Sequence, residues 1–298
     1  MMSVSKGESL EMDGRQMALA SLEGLSVGDA FGESFFGSPR DWIVKRRLPP
    51  DPWRWTDDTA MALSIVDELL EIGAIRPDEL AERFARRYVR EPWRGYGGGA
   101  QRLLSAYAQG GHWRELAPGV FPGGSYGNGG AMRAAPIGAF FQDRPEQAAE
   151  QGRRSAQVTH SHPEGQAGAM AVAAAASLVD GEDIEPEEFL AEIMQSLPES
   201  RTRSGIEEAR RIPAEESQRA AKVLGTGRQI AAFDTVPFCL WVAAHHNRDY
   251  AHALWTTVVG RGDRDTTCAI VGGILGAYRP VPEEWVSRRE PLPPGYSP

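Results

Sequence analysis

Three features of this 298-residue chain predict an all-helical fold. Apolar residues recur at i, i+3/i+4 and i+7 through most of its length, β-branched runs are scarce, and almost nothing alternates with the two-residue period of a strand. The length is ample for a core and suits one large domain or two. Residues 1–13 (MMSVSKGESLEMD) are polar, lack an apolar signal core and read as a flexible tail. A first helix is predicted over 14–35. Pro39, Pro49, Pro50 and Pro52 then mark a loop.

The loop leads into Trp55-Thr56-Asp57-Asp58-Thr59 and a predicted helix over 57–72. There Met61, Ala62, Ile65, Val66, Leu69 and Leu70 form the apolar face and Thr56 reads as the N-cap. Further helices are expected over 78–90, 96–109, 129–141, 145–156 and 163–180. The alanine-rich run of the last, Gln166 to Val179, suits close approach of helix axes. The stretch 181–232 is highly charged and predicts exposed helices over 186–196, 203–210 and 214–223. Helices over 233–246, 249–259 and 265–278 complete the pattern. His245 and His246, at the end of an amphipathic run, read as surface residues. The Pro-rich 287–298 reads as an extended tail draped over the surface.

Near the far end, Gly262-Asp263-Arg264-Asp265-Thr266-Thr267 again places two carboxylates and hydroxyls at a helix start. Thr and Asp are common at such positions as caps and as partners of the helix dipole, which accounts for either cluster alone. A cap needs one acid, however, and each cluster holds two. Together they form a set of hard oxygen donors of the kind Mg²⁺, Mn²⁺ or Ca²⁺ prefers, one metal site if the fold joins the two ends.

Between them, Gly123-Gly124-Ser125-Tyr126-Gly127-Asn128-Gly129-Gly130-Ala131-Met132-Arg133 precedes a predicted helix N-terminus. Glycines there let backbone N–H groups approach an anion, which is phosphate-binding chemistry in outline. The segment is neither a Walker loop nor a dinucleotide fingerprint, and a flexible turn would also explain its glycines. In Thr159-His160-Ser161-His162-Pro163-Glu164, the two histidines suit zinc ligation, a base with an orienting partner, or a helix start.

The net charge of −9 and a sequence pI near 5.3 argue against a general nucleic-acid groove. Two cysteines, Cys239 and Cys268, sit in apolar helical patterns rather than a Cys-x-x-Cys pair, and no segment approaches a membrane span. A soluble, cytoplasmic, monomeric protein is expected.

Five segments in order, GDAFG (28–32), WTDDTAM (55–61), GSYGNGGAMR (124–133), THSHPEG (159–165) and GDRDTTCAIVGGILGA (262–277), resemble the ADP-ribosylglycohydrolase family from about residue 14 to 279. The resemblance implies a single domain over 14–286, a largely orthogonal helical bundle around a binuclear Mg²⁺ site (Mn²⁺ in some members). Its implied reaction is hydrolysis of the bond between ADP-ribose and an acceptor, either a modified protein side chain or a small conjugate. Carried over by motif, Thr56, Asp57, Asp58, Asp263, Asp265 and Thr266 would hold the metal. Ser125, Tyr126, Gly127, Asn128, Gly129, Met132 and His160 would contact the substrate. The GSYGNGGAMR text is especially close to the serine-directed branch.

Two positions depart from the family pattern. Arg264 stands between the aspartates where a threonine is usual, so its guanidinium is expected to turn outward or to pair with substrate or carboxylate. Phe36 stands where the serine-directed branch has a glutamate, and Glu33, on the same face if the first helix continues, is a candidate replacement. The catalytic proton is thus expected at Asp58, Asp265 or Glu33. The competing expectations are an inactive ADP-ribose-binding or structural member, and a Mg²⁺-dependent hydrolase of phosphoesters.

Overall fold

The protein is described by a computed structural model covering residues 6–179 and 184–296. Among the described residues there are sixteen α-helices and no strand. The helices are α1 (Lys6–Glu33), α2 (Arg40–Val44), α3 (Asp57–Ile72), α4 (Pro77–Arg90), α5 (Gly98–Ala108), α6 (Trp113–Leu116), α7 (Ala135–Phe140), α8 (Pro145–Gln157), α9 (Pro163–Leu178), α10 (Pro186–Gln195), α11 (Arg201–Ala209), α12 (Ser217–Leu224), α13 (Val236–His245), α14 (Tyr250–Val259), α15 (Arg264–Gly276) and α16 (Glu283–Arg288). Short 3₁₀ turns at Ala117–Gly119, Asn128–Gly130 and Ala232–Asp234 join them. The all-helical expectation is met.

The most extensive packing pairs the first long helix with one of the last, α1 with α15. Gly24, Gly28 and Gly32 recur every four residues on α1 and face the backbone of Gly272, Cys268 and Arg264 on α15. A Cβ at any of them would strike a carbonyl of the partner helix, so the axes approach as only glycine permits. This seam joins the ends of the chain. It sets Asp29 on α1 beside the start of α15 and brings the second acidic cluster to the first.

Around the seam, α9 is buried on nearly every side, as its alanines allow, and α13 likewise. α3 starts where expected: Thr56 accepts a hydrogen bond from the Asp58 N–H at 3.3 Å, and Gly73 ends the helix with φ 78°.

Some boundaries differ from the sequence reading. α1 ends at Glu33 rather than 35, because the chain turns with Phe35 N–H donating to the Gly32 carbonyl and Phe36 N–H to that of Glu33. The helix expected over 129–141 is broken into a 3₁₀ turn and α7, since Gly129 and Gly130 favour a turn and Pro136 can occupy only the first turn of a new helix. α2, α6 and α16 are too short for the periodicity to register. Of the expected tail, residues 1–5 lie outside the described residues, while from Lys6 the backbone belongs to α1. His245 and His246 are partly buried against Trp241 rather than on a free surface, because α13 is apolar all round rather than amphipathic.

The C-terminal segment does drape over the surface, and it braces the first acidic cluster. Glu290 N–H donates to the Trp53 carbonyl at 2.8 Å, and the Glu290 carboxylate pairs with Arg94, whose guanidinium lies 3.2 Å from the Trp55 ring centroid. Trp53 itself is fully buried among Phe31, Trp285 and their neighbours.

Candidate active site

The two acidic clusters meet. Asp57, Asp58, Asp263, Asp265 and Thr266 line one end of a cavity of about 730 Å³, and Ser125 to Gly129, Met132 and His160 line the rest together with Gly97 to Gly99, Phe121 and Ile230. Of the expected site residues, Thr56 and Glu33 are not in the lining. Thr56 lies just beneath it as the cap of α3. Glu33, the last residue of α1, is half-buried and within electrostatic reach of Asp263, but the early end of the helix leaves it outside the cavity.

The first cluster is held from behind by Asp29, which the sequence reading passed over. Its fully buried carboxylate accepts from Thr56 N–H (2.9 Å), Thr56 Oγ1 (2.9 Å), Thr59 N–H (3.1 Å) and Thr59 Oγ1 (2.5 Å). Burial pushes Asp29 up to about 6, opposed by these hydrogen bonds. Asp29 belongs to the motif GDAFG, but nothing in that text sets it apart from the other acids of α1. Because Thr56 caps α3, Asp57 and Asp58 are not needed for that purpose.

The second cluster is held differently. Asp263 is the residue before α15 yet makes no side-chain cap; its carboxylate instead accepts from the Asn128 amide at 2.7 Å, and its N–H donates to the Thr226 carbonyl. Asn128 also donates to Thr235. Its amide nitrogen thereby ties the glycine segment to the second cluster. Arg264 turns outward: its guanidinium donates to the Phe35 carbonyl at 2.8 Å and lies 4.5 Å from the Phe36 ring centroid.

The carboxylates are costly as they stand. Burial first, and then the charges of Asp29 and Asp265, push Asp57 up to about 8 and Asp58 well above the carboxylate range. Burial and Asp265 raise Asp263 to about 7, while burial and Asp29 raise Asp265 to about 6. One oxygen each of Asp58 and Asp265 is buried without any hydrogen-bond partner. Crowded, desolvated carboxylates with orphaned oxygens are what a divalent cation would satisfy, so the donor set fits the expected hard ion. Among the described residues no three His, Cys, Asp or Glu side chains already converge in ligating geometry.

Arg133 underpins the glycine segment. It is wholly buried over Phe84 and donates to the Gly129 and Ser155 carbonyls and to Thr159 Oγ1 (2.9 Å). Burial lowers it to about 9. Thr159 Oγ1 in turn lies 2.7 Å from His160 Nδ1. A guanidinium only donates, so the threonine accepts from Arg133, and its contact with Nδ1 is compatible with either imidazole tautomer. Burial and then Arg133 hold His160 at about 3, so the ring is neutral. Its Nε2 lies under the segment: a Cβ at Gly127 or Gly129 would come within 3.2 Å of it. His162, by contrast, caps α9 by accepting from Glu164 N–H, so the two histidines form neither a zinc pair nor a relay.

The family profile described as ADP-ribosylglycohydrolase matches residues 11–293. The chain is 32% identical to ADP-ribosylhydrolase ARH3 of Bos taurus, over 89% of this chain and 86% of that one. It is 32% identical to the Homo sapiens protein of the same name, over 78% and 73%, and 27% identical to ADP-ribosylarginine hydrolase Tri1 of Pseudomonas putida, over 91% and 73%. Among solved structures, a chain titled ADP-ribosylglycohydrolase-related protein complex superposes with a TM-score of 0.65 at 24% identity, covering 94% of each chain, a likeness of fold.

Proposed function

The chain belongs to the ADP-ribosylglycohydrolase family and is an enzyme of glycosidic-bond hydrolysis, and from that premise we propose that it is a Mg²⁺-dependent hydrolase releasing ADP-ribose from an acceptor. The observation that carries the proposal is the single cavity shared by both acidic clusters and the glycine segment. Its volume suits a ligand of nucleotide size. The cavity joins hard oxygen donors to glycine backbone and a buried, neutral imidazole.

In this reading the diphosphate lies along Ser125 to Gly129, where glycine removes side chains between backbone and anion, with the Nε2 edge of His160 beneath the segment. The distal ribose then reaches Asp57, Asp58, Asp263 and Asp265. Bound there with Thr56 and Thr266, divalent ions would supply Lewis acidity and a water of lowered pKa. Asp58 or Asp265, each a cavity-lining residue with one carboxylate oxygen left without a hydrogen-bond partner, is favoured over Glu33 to take the proton from the attacking water. The anomeric bond breaks through an oxocarbenium-like transition state, as in glycoside hydrolysis. Asp29 and Asn128 act through the acids by fixing their positions.

The test is incubation with defined ADP-ribosylated peptides, with and without Mg²⁺, reading released free ADP-ribose. Metal-dependent release supports the proposal. Release of AMP instead indicates hydrolysis of the diphosphate anhydride, the work of a phosphohydrolase, and binding of ADP-ribose without release from any substrate indicates an inactive binding protein; either result overturns it.

A further inference from the structure

We infer that a second cavity, at the turn between α13 and α14, holds a borderline divalent ion such as Zn²⁺ on His246 and His252, a site separate from the acidic clusters and independent of the hydrolase reading. The cavity measures about 340 Å³ and lies between this turn and the segment leading into α10. Ile184, Glu185 and Pro186 form one wall, and Ala244 to Asp249 with His252 the other. Three of the chain's six histidines, His245, His246 and His252, line it.

His246 follows the last residue of α13, and His252 lies in the first turn of α14. Their ring centroids are 5.2 Å apart and the planes are tilted by 52°. Two imidazoles bound to one ion at a tetrahedral angle, through metal–nitrogen bonds of about 2.0–2.1 Å, have centroids about 5 Å apart, so the pair needs little rearrangement to share one.

His246 is prepared as a ligand. Its Nε2 is buried without a hydrogen-bond partner, while the ring is hydrogen-bonded to the Ala214 backbone. A carbonyl only accepts, so Nδ1 is the nitrogen that donates and Nε2 keeps its lone pair. Metal-binding imidazoles are commonly held in this way, the other ring nitrogen donating to a backbone carbonyl that fixes tautomer and orientation. The ring also packs edge-on against Trp241, whose indole N–H is anchored on the Ile212 carbonyl. Burial, then His252 and His245, push His246 down to about 4, which leaves the ring neutral near pH 7. A buried nitrogen without a partner is costly as it stands, and an ion would supply the missing one.

His252 is exposed, so its ring can turn onto a shared ion, while its N–H is held by the Asp249 carboxylate at 2.7 Å. No third His, Cys, Asp or Glu converges with the pair among the described residues, so water completes the coordination. Imidazole nitrogens select a borderline ion, whereas the oxygen donors of the acidic clusters suit Mg²⁺. An ion here would tie the end of α13 to the start of α14, the helix that packs on α15.

The experiment is a calorimetric titration of Zn²⁺ into untagged full-length protein in saturating Mg²⁺, repeated with His246→Ala, His252→Ala and Asp265→Ala. Because His252 is exposed, its replacement leaves the fold intact even if that of the partly buried His246 does not. Wild-type protein is expected to bind one Zn²⁺ per chain. The affinity should fall in both histidine variants by at least the ~10-fold that loss of an outer-shell partner costs, and should be unchanged in Asp265→Ala. Zn²⁺ should also raise the Tm of wild-type protein in a saturable way and leave that of His252→Ala unmoved. No zinc binding by wild-type protein, or equal affinity in His252→Ala, overturns the inference. So does binding that is lost in Asp265→Ala and kept in His252→Ala, which would put the zinc at the acidic clusters. None of these results bears on release of ADP-ribose, so the hydrolase reading stands or falls separately.

Discussion

The two acidic clusters have nearly the same local sequence and are held in opposite ways. Thr56, Asp57 and Asp58 are fastened from inside the core: a buried acid on α1 takes four hydrogen bonds from Thr56 and Thr59, and Trp53 and Trp55 are clamped by Arg94 and the C-terminal segment. Asp263 is fastened instead through the Asn128 amide and the Thr226 carbonyl, and one oxygen of Asp265 has no hydrogen-bond partner. The first cluster is thereby part of the core, while the second is coupled to the loop proposed to hold the substrate. Substitutions behind the first should act through stability, and those behind the second through binding.

The largest expected effect removes the distinction. Asp57→Ala and Asp265→Ala, one from each cluster, should each lower turnover by at least ~10²–10³-fold while circular dichroism shows unchanged helical content. A folded variant of either kind with near wild-type turnover would separate the clusters into unrelated sites. Next in size, Gly129→Val should weaken ADP-ribose binding strongly by calorimetry, because its Cβ would lie 3.0 Å from His160 Cε1 and its side chain between backbone and diphosphate. Unchanged affinity would remove the glycine segment from the site.

Two substitutions sharpen the contrast between the supports. Asp29→Ala leaves buried N–H and hydroxyl groups unsatisfied and should cost about 2–4 kcal/mol of stability in denaturant unfolding. Asn128→Ala should cost less stability but weaken Mg²⁺ binding ~10–100-fold, as is usual when a support of a ligating carboxylate is lost. Equal stability losses with unaltered metal affinity would erase the proposed difference.

A smaller effect follows from the raised carboxylates. Folded-state values from about 6 to about 8 lie above the unfolded aspartate value near ~3.9. The folded state therefore holds extra protons, and their contribution to stability is present below about pH 4 and lost as pH rises toward about 8. In a chelator the Tm should fall between pH 5.5 and 8.5, and saturating Mg²⁺ should restore it most at the alkaline end. A Tm that rises across this window in chelator, or does not respond to Mg²⁺, would contradict the assignment. The smallest effect is expected at Glu33. Because it lies outside the cavity lining, Glu33→Gln should reduce turnover far less than the ~10²–10⁴-fold worth of general acid–base assistance.

The two clusters also differ in how far the sequence revealed them. Periodicity located α3 and α15 and both acidic starts, because each begins an apolar repeat after a run of polar residues. What joins them was not visible. Asp29 lies inside a helix that carries other acids, such as Glu23 and Glu33, and looks like any solvated residue until the glycine seam shows which face is buried. Arg133 was readable as part of a motif, yet its role depends on Thr159 and His160, remote in sequence. The break near Gly129 and the end of α1 at Glu33 escaped because a turn interrupts a helix without interrupting the apolar pattern. The outward course of Arg264 depends on Phe36 from the other end of the chain.

The most direct measurement is a calorimetric titration of ADP-ribose into the full-length protein in Mg²⁺ and again in chelator. If both clusters and the glycine segment form one site, ADP-ribose should bind once per chain, at least ~10-fold more tightly with Mg²⁺ than without. Identical titrations in the two buffers, or no binding of ADP-ribose in the presence of Mg²⁺, would contradict the account.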